Sequence, residues 1–196
     1  MIDLKFLDEI QNILETKTIS KNLTFSPPKE LHFELTYKCN AQCVMCNLRF
    51  QDTNKDLSLC EIENLVTNSN LLKNIEFIVL SGGEPFFNKD FFDIIKFLSE
   101  KFNNSKFLIL TNLLDPKLSI SSLHKIKKFV DLKKISLGSS LDGVEQKHDE
   151  IRDFKDAFNN LFTSLKNIKN YFPEVTFSLN FTLTPYNYDQ LLPTYY

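Results

Sequence analysis

The sequence has no tryptophan, almost no net charge and no apolar run long enough to cross a bilayer. Its apolar runs, such as Phe77-Ile78-Val79-Leu80, are far shorter than the roughly 18 residues that a membrane span requires. A formal net charge of -2 gives no electrostatic reason to expect nucleic acid or an anionic membrane as a partner. The N-terminus carries Asp3 and Asp8 and does not have the pattern of a signal peptide. These features predict a cytoplasmic protein with one globular domain.

Cysteine is also scarce, and three of the four cysteines lie within eight residues, Cys39 to Cys46. Such clustering favours a bound metal in a reducing compartment over disulfides. Three thiolates, from Cys39, Cys43 and Cys46, could hold three irons of a four-iron cluster and leave the fourth iron open. Two other interpretations remain at this point. The thiols could be buried along one face of a helix, or they could bind zinc together with Cys60 or His32.

The rest of the chain alternates between strand and helix patterns. Residues 1–30 are predicted to form an amphipathic helix, over 3–16, and a polar connection; residues 31–196 form the core. Strands are predicted at 31–36, 75–80, 106–110, 134–139 and 175–183, and helices from Ser58, at 90–102, at 120–129 and at 154–170. This order predicts an α/β fold with a parallel sheet that curls towards a barrel.

Unusual residues follow the strands. They are the cysteine loop, Ser81-Gly82-Gly83-Glu84-Pro85, Thr111-Asn112 and Ser139-Ser140-Leu141-Asp142-Gly143, with Asn180 and Thr182 in the last strand. The carboxyl ends of parallel strands lie on one rim, so these segments should meet there.

With these neighbours, the C-x3-C-x2-C loop resembles the signature of the radical S-adenosylmethionine (SAM) superfamily. The further match of Ser140-Leu141-Asp142-Gly143, followed by His148 and Arg152, is similar to the branch of SPASM and molybdenum-cofactor enzymes. The resemblance implies a partial TIM-type (β/α) barrel. It also implies a 4Fe–4S cluster and SAM, whose reductive cleavage yields a 5′-deoxyadenosyl radical that takes hydrogen from a substrate. A reductant such as flavodoxin or ferredoxin would supply the electron.

The resemblance also implies a role for each matching residue. Cys39, Cys43 and Cys46 would bind the cluster, while Gly82, Gly83 and Glu84 would contact the methionyl amino group of SAM. The remaining candidates are Ser140 (ribose or methionine carboxylate), Asp142 (ribose or substrate), Met45 (adenine, where an aromatic residue is usual), Asn112 (SAM) and Asn180 (ribose). Each has a structural alternative: Gly82-Gly83 and Asp142-Gly143 are also ordinary turn pairs, and Asn112 could be a turn residue.

Two departures from the family pattern stand out. Leu113 replaces the glycine that usually follows Thr-Asn, which predicts a local change in that turn. Only about five βα units can be counted where six are usual, so the sixth unit is expected to be absent from this chain. The fifth strand would then be an open edge, available to a partner chain or to self-association. The alternative function is a non-catalytic or fragmentary cluster-binding subunit that needs a partner; the substrate is unknown, with a peptide or a small cofactor precursor as the two guesses.

Overall fold

The computed structural model describes residues 26–196, so the predicted helix at 3–16 lies outside the described residues. Five parallel strands form one sheet in the order β1-β2-β3-β4-β5. The strands are β1 Glu30–Thr36, β2 Phe77–Gly82, β3 Lys106–Leu110, β4 Ile135–Ser140 and β5 Thr176–Asn180. The predicted α/β class with a parallel sheet is confirmed, and five strands in sequential order correspond to a partial barrel.

Helices lie between successive strands, as the alternating pattern predicts, and one more helix follows β5. They are α1 Leu59–Asn68, α2 Phe91–Lys101, α3 Pro116–Ile126, α4 Gln146–Arg152, α5 Ala157–Tyr171 and α6 Leu191–Tyr195. Helix α1 begins with the predicted capping box. The Ser58 hydroxyl accepts the Glu61 amide hydrogen, and the Glu61 carboxylate accepts the Ser58 amide hydrogen.

The hydrophobic core lies between the sheet and the helices. Strand β2 is buried through Ile78, Val79 and Leu80, which explains its unbroken apolar pattern. Helix α2 packs onto the sheet through Ile94 and Leu98, both fully buried. The core therefore holds the strands in place, and the polar and glycine-containing segments named above follow their carboxyl ends.

The predicted helix at 154–170 is wrong in its first turn. Helix α5 starts at Ala157, and a separate helix, α4, precedes it. The break arises because Asp153 and Asp156 adopt left-handed backbone conformations, with φ of 46° and 58°. The Asp149 carboxylate, from within α4, accepts the amide hydrogens of Asp156 and Phe158 at 3.0 and 2.8 Å. It therefore caps α5 from outside that helix.

Further element boundaries also differ from the prediction. Strand β2 spans Phe77–Gly82 rather than 75–80, and α3 ends at Ile126 rather than residue 129. Helix α3 begins at Pro116 rather than residue 120 because the Asp115 carboxylate accepts the amide hydrogens of Lys117 and Leu118. Strand β5 ends at Asn180, since the next residues turn inward to bond with the end of β4.

Strand β5 is an edge of the sheet, as predicted, and all five of its residues are exposed. Its Phe177 and Leu179 expose 42% and 38% of their surface. Within residues 26–196, no helix is both long and apolar enough to cross a membrane.

Candidate functional site

A cavity of about 180 Å³ lies at the carboxyl ends of the strands. The segment that follows each of the five strands contributes to its wall, so the predicted meeting of these segments on one rim is what the structure shows. The lining residues named in the sequence analysis are Cys39, Cys43, Met45, Cys46, Gly82, Gly83, Asn112, Ser140, Arg152 and Thr182, together with Ala41 and Leu48.

Each of the three cysteine sulfurs in the cavity accepts an N–H donor at 3.5 Å. Asn112 Nδ2 donates to Cys39 Sγ, an Arg152 guanidinium nitrogen donates to Cys43 Sγ, and the Leu48 amide donates to Cys46 Sγ. Hydrogen bonds of this kind stabilise thiolate ligands and tune the clusters they hold.

These three thiols fit an iron–sulfur cluster better than a single ion. Around one tetrahedral zinc the sulfurs would lie about 3.8 Å apart, from a Zn–S bond of about 2.3 Å. No group of three or more His, Cys, Asp or Glu is arranged around a single ion within residues 26–196. A 4Fe–4S cluster places each thiolate on a different iron, which three thiols around one cavity allow. Cys60, exposed on α1, does not line this cavity.

The environment of Cys39 shows why the donors matter. Burial raises the pKa of the Cys39 thiol, and the Glu84 carboxylate raises it further, while hydrogen bonds from the Ala41 backbone and the Asn112 side chain lower it. The Asn112 amide is itself held in place, because its Oδ1 accepts the Leu114 amide hydrogen at 2.9 Å. Its Nδ2 is thereby aimed at Cys39.

The cysteine loop is anchored by a hydrogen bond to α4 and by a small apolar cluster. The Val44 amide donates to the carbonyl oxygen of Ile151 at 2.9 Å. Ala41 and Cys43 pack in a small apolar cluster with Leu114 and Ala157, and Met45 lies against that cluster. The buried-helix interpretation does not match this arrangement, since residues 39–46 are not helical.

Glycine is required at the turn after β2 by the close approach of two backbones. Gly82 has φ of +131°, and a Cβ there would lie 2.3 Å from the Thr36 carbonyl oxygen. A Cβ on Gly83 would lie 2.3 Å from the Lys38 carbonyl oxygen. The amides of Gly83 and Glu84 donate to those same carbonyls at 2.7 and 2.8 Å. The turn is therefore fastened to the chain that leads into the cysteine loop.

Glu84 does not line the cavity. Its side chain is buried, and its Oε2 accepts the Thr111 hydroxyl and the Asn112 amide hydrogen, each at 2.9 Å. Its Oε1 accepts the Phe86 amide hydrogen at 3.4 Å. Burial raises the pKa of Glu84 to about 7, although the hydrogen bonds from Asn112 and Thr111 oppose this. A carboxylate oxygen has two acceptor positions, so Oε1 keeps one that is unused by these bonds.

Asp142 differs from its expected place beside a ribose or a substrate. Its carboxylate is fully buried, with Oδ2 2.5 Å from the Arg152 guanidinium and Oδ1 2.9 Å from the Thr182 amide. Its own amide donates to His148 Nδ1 at 3.1 Å. Burial and the Arg152 charge lower the pKa of His148 to about 4, so the imidazole is neutral and acts as an acceptor here. Asp142 is assigned to holding Arg152 and the chain around Thr182.

Asn180 also differs from its expected place. It lies on the exposed edge strand and lines a separate groove with Leu179, Phe181, Leu191 and Tyr195. It is Thr182, two residues on, that reaches the cavity. Arg152 and Thr182 line the cavity although the sequence analysis gave neither a binding role: Arg152 was part of the run after Ser140-Leu141-Asp142-Gly143, and Thr182 was a polar residue of the last predicted strand. Ala41 and Leu48, which also line it, were not candidates.

The turn at Leu113 takes a left-handed conformation, with φ of 57°. A left-handed conformation costs a leucine about 1–2 kcal/mol relative to glycine. Its side chain is buried in the core, and its carbonyl oxygen accepts the Ser164 hydroxyl at 2.7 Å. Burial and this bond offset the strain, and the turn still presents Asn112 to the cysteine loop.

The chain is similar to several proteins of known type. AlbA of Bacillus subtilis, an antilisterial bacteriocin subtilosin biosynthesis protein, is 28% identical over 85% of this chain and 36% of its own. The Fe-coproporphyrin III synthase of Methanosarcina barkeri is 28% identical over 87% of this chain and 41% of its own. The chain thus spans less than half the length of these two relatives.

Among solved structures, Streptococcus suis SuiB bound to SAM matches with a TM-score of 0.65 and 18% identity. The match covers 97% of this chain and 42% of SuiB, and at this identity it supports the fold alone. The sequence model of the Radical SAM superfamily matches residues 33–195. The chain therefore belongs to the radical SAM superfamily, whose members are enzymes that use a 4Fe–4S cluster and SAM.

Proposed function

We propose that this chain binds a 4Fe–4S cluster through Cys39, Cys43 and Cys46 and binds SAM in the adjoining cavity. When bound, the two groups supply reductive SAM cleavage to a 5′-deoxyadenosyl radical, which takes hydrogen from a substrate. The observation that carries the proposal is the shared cavity: three thiols, each with an N–H donor at 3.5 Å, face the same space as the Gly82-Gly83 turn.

The chain's own residues would hold SAM at the edge of the cysteine loop. Gly82 and Gly83 leave the cavity wall without side chains, so a ligand could approach the backbone closely. Glu84 does not itself line the cavity, but it directly follows Gly83 in the chain, and the unused acceptor position of its Oε1 would suit an amino group of SAM. Ser140, at the end of β4, and Asn112, after β3, offer a hydroxyl and an amide to the same cavity, and Met45 offers a polarisable surface for adenine.

The substrate class stays open between a peptide and a small cofactor precursor. The names of the two relatives point to different classes, since one concerns a bacteriocin and the other an iron porphyrin. A reductant such as flavodoxin or ferredoxin would deliver the electron, and the thiolate ligands favour the reducing cytoplasm.

The test is anaerobic reconstitution with iron and sulfide. The wild-type chain should gain about four irons and four sulfides. After reduction in the presence of SAM it should release 5′-deoxyadenosine. Cys43→Ala should lose both properties. Cys60→Ala is the matched control, because it removes an exposed thiol that does not line the cavity. A colourless chain with one zinc per molecule would contradict the proposal.

A second candidate is a cluster-binding subunit that is inactive until a partner chain joins it. The exposed edge strand β5 favours it, because an unpaired edge with exposed Phe177 and Leu179 is a surface for strand pairing. A reconstituted chain that holds its cluster and binds SAM, yet releases no 5′-deoxyadenosine on its own, would support this candidate over the first.

A further inference from the structure

Arg152 connects the cysteine loop to a buried acid. The residue ends helix α4, lines the cavity, and exposes 13% of its side chain. One terminal nitrogen of its guanidinium lies 3.5 Å from Cys43 Sγ, and the other lies 2.5 Å from Asp142 Oδ2. The planar guanidinium therefore presents a fixed donor, and a full positive charge, to the sulfur.

Asp142 is held so firmly that it fixes the guanidinium. Its carboxylate accepts the Thr182 amide hydrogen at 2.9 Å, and its carbonyl oxygen accepts the Asn187 side-chain amide at 3.0 Å. Its amide donates to His148 in helix α4. Asp142, His148 and Asn187 are each completely buried. The carboxylate therefore has one orientation, and it leaves Arg152 little freedom to turn from Cys43.

The backbone also fixes the distance between Arg152 and the cysteine. The residue before Arg152, Ile151, accepts the amide hydrogen of Val44, the residue after Cys43. Residues 43 and 44 thus face residues 151 and 152. Val44 and Ile151 are joined by a backbone hydrogen bond, and Cys43 and Arg152 are joined by an N–H···S hydrogen bond. A contact built this way depends on the fold and not on the chance position of a long side chain.

We propose that Arg152 is a positioning residue that raises the reduction potential of the cluster by donating to the Cys43 sulfur. This inference rests on the proposed function, because it requires the cluster. Reduction adds negative charge to the cluster and its thiolates. A nearby cation and an N–H···S bond stabilise the reduced form more than the oxidised form. The Asp142 charge opposes this effect, but it lies on the far side of the guanidinium, so the cation is closer to the sulfur.

The experiment compares reconstituted wild type with Arg152→Gln, Arg152→Lys and Lys147→Gln. Lys147→Gln is the matched control, since it removes a positive charge from the same helix at a residue whose partner is Glu150. Each variant is loaded, its iron content is measured, and its cluster is titrated by electron paramagnetic resonance at fixed solution potentials.

The Arg152→Gln variant should show about a tenfold lower ratio of reduced to oxidised cluster at the wild-type midpoint, which equals 59 mV for one electron. Arg152→Lys keeps the charge and should recover part of that loss, and Lys147→Gln should match wild type. If Arg152→Gln takes up no iron, Arg152→Lys carries the comparison, with a smaller loss in the same direction.

Different results separate the inference from the function on which it rests. A wild-type chain that binds no iron overturns the proposed function and the inference together. A loaded wild type with unchanged potential in the Arg152 variants overturns the inference alone. If the variants melt at a lower temperature but keep the wild-type potential, Arg152 is only structural, and the inference is equally overturned.

Discussion

Glu84 is a buried carboxylate, and that burial makes the stability of the cofactor-free chain depend on pH. The side chain exposes 1% of its surface, and burial raises its pKa to about 7 from an ordinary 4.5. Between those values the folded chain holds a proton on Glu84 that the unfolded chain has released. The contribution of Glu84 to the free energy of unfolding should therefore fall as pH rises from about 4.5 to 7, and then stay at the lower value. His148 acts in the opposite direction, because its pKa of about 4 in the folded chain lies below the ordinary 6.5, so its contribution rises with pH up to about 6.5.

The size of this effect follows from the two pKa values. Each pH unit of difference corresponds to about 1.4 kcal/mol, so the full loss is roughly 3 kcal/mol. This is a large share of the stability of an ordinary domain, which is about 5–15 kcal/mol. Glu84→Gln removes the titration. The glutamine oxygen could still accept from Thr111 and Asn112, so the two shorter hydrogen bonds would survive.

The assay is urea unfolding of the cofactor-free chain at several pH values from 5 to 8. The free energy of unfolding of wild type should fall relative to that of Glu84→Gln between pH 5 and 7. This difference isolates Glu84, because His148 titrates in both chains. At pH 8 the variant should be the more stable of the two. Glu76→Gln serves as the control because Glu76 is a surface carboxylate, 55% exposed and paired with Lys29, and its loss should leave the slope as in wild type.

Glu84→Gln should stabilise the cofactor-free chain at pH 8 but weaken the binding of SAM. A hydrogen bond between an ammonium group and a carboxylate contributes about 1.5–3 kcal/mol, so Glu84→Gln should weaken SAM binding to the loaded chain about tenfold or more. A difference in unfolding free energy between wild type and Glu84→Gln that stays constant from pH 5 to 8 would refute the account of burial. An unchanged SAM affinity in Glu84→Gln would refute the proposed contact and leave the account of burial standing.

Three further substitutions test the framework around the site. Gly83→Ala should reduce iron content and cost about 1–3 kcal/mol in thermal unfolding, because its Cβ would lie 2.3 Å from the Lys38 carbonyl oxygen. Normal iron content and stability would contradict that reasoning. Ser58→Ala should cost about 1 kcal/mol in urea unfolding and leave iron content unchanged, since it removes only the capping box with Glu61. Leu179→Lys should reduce self-association in sedimentation, because it places a charge on the exposed strand β5; equal association in the two chains would rule out that edge as the interface.

The sheet could be predicted from sequence because its signals are local. Strand β3 has the predicted bounds, 106–110, because a short apolar run between polar turns is long enough for a strand and too short for a typical helix. The start of α1 was also predictable, as Ser58 and Glu61 form the cap within three residues. The position of the site then followed from topology, because parallel strands place their carboxyl ends together.

Helix α4 was not predictable in the same way. It has seven residues, which is too short to be stable by its own propensity, and it is held by tertiary contacts such as the bond from Val44 to Ile151. The apolar residue Phe154 continued the periodicity of α5 and suggested a longer helix. In the structure Phe154 lies outside α5 and packs against the small apolar cluster of Ala41, Cys43, Leu114 and Ala157. Its apolar side chain is therefore partly buried by the cysteine loop and does not extend the apolar face of α5.

The direction in which each polar side chain on the rim points could not be predicted from the sequence either. Position in sequence placed Asp142 at the end of β4, but its carboxylate turns towards Arg152 and Thr182, which lie 10 and 40 residues further along the chain. Two of the three donors to the sulfurs are also remote, since Asn112 lies 73 residues from Cys39 and Arg152 lies 109 residues from Cys43. A motif therefore identifies the atoms that would bind iron, whereas the tertiary fold selects the donors that would set its potential. Two chains with the same three cysteines should accordingly differ in cluster potential wherever the residue at the position of Arg152 differs.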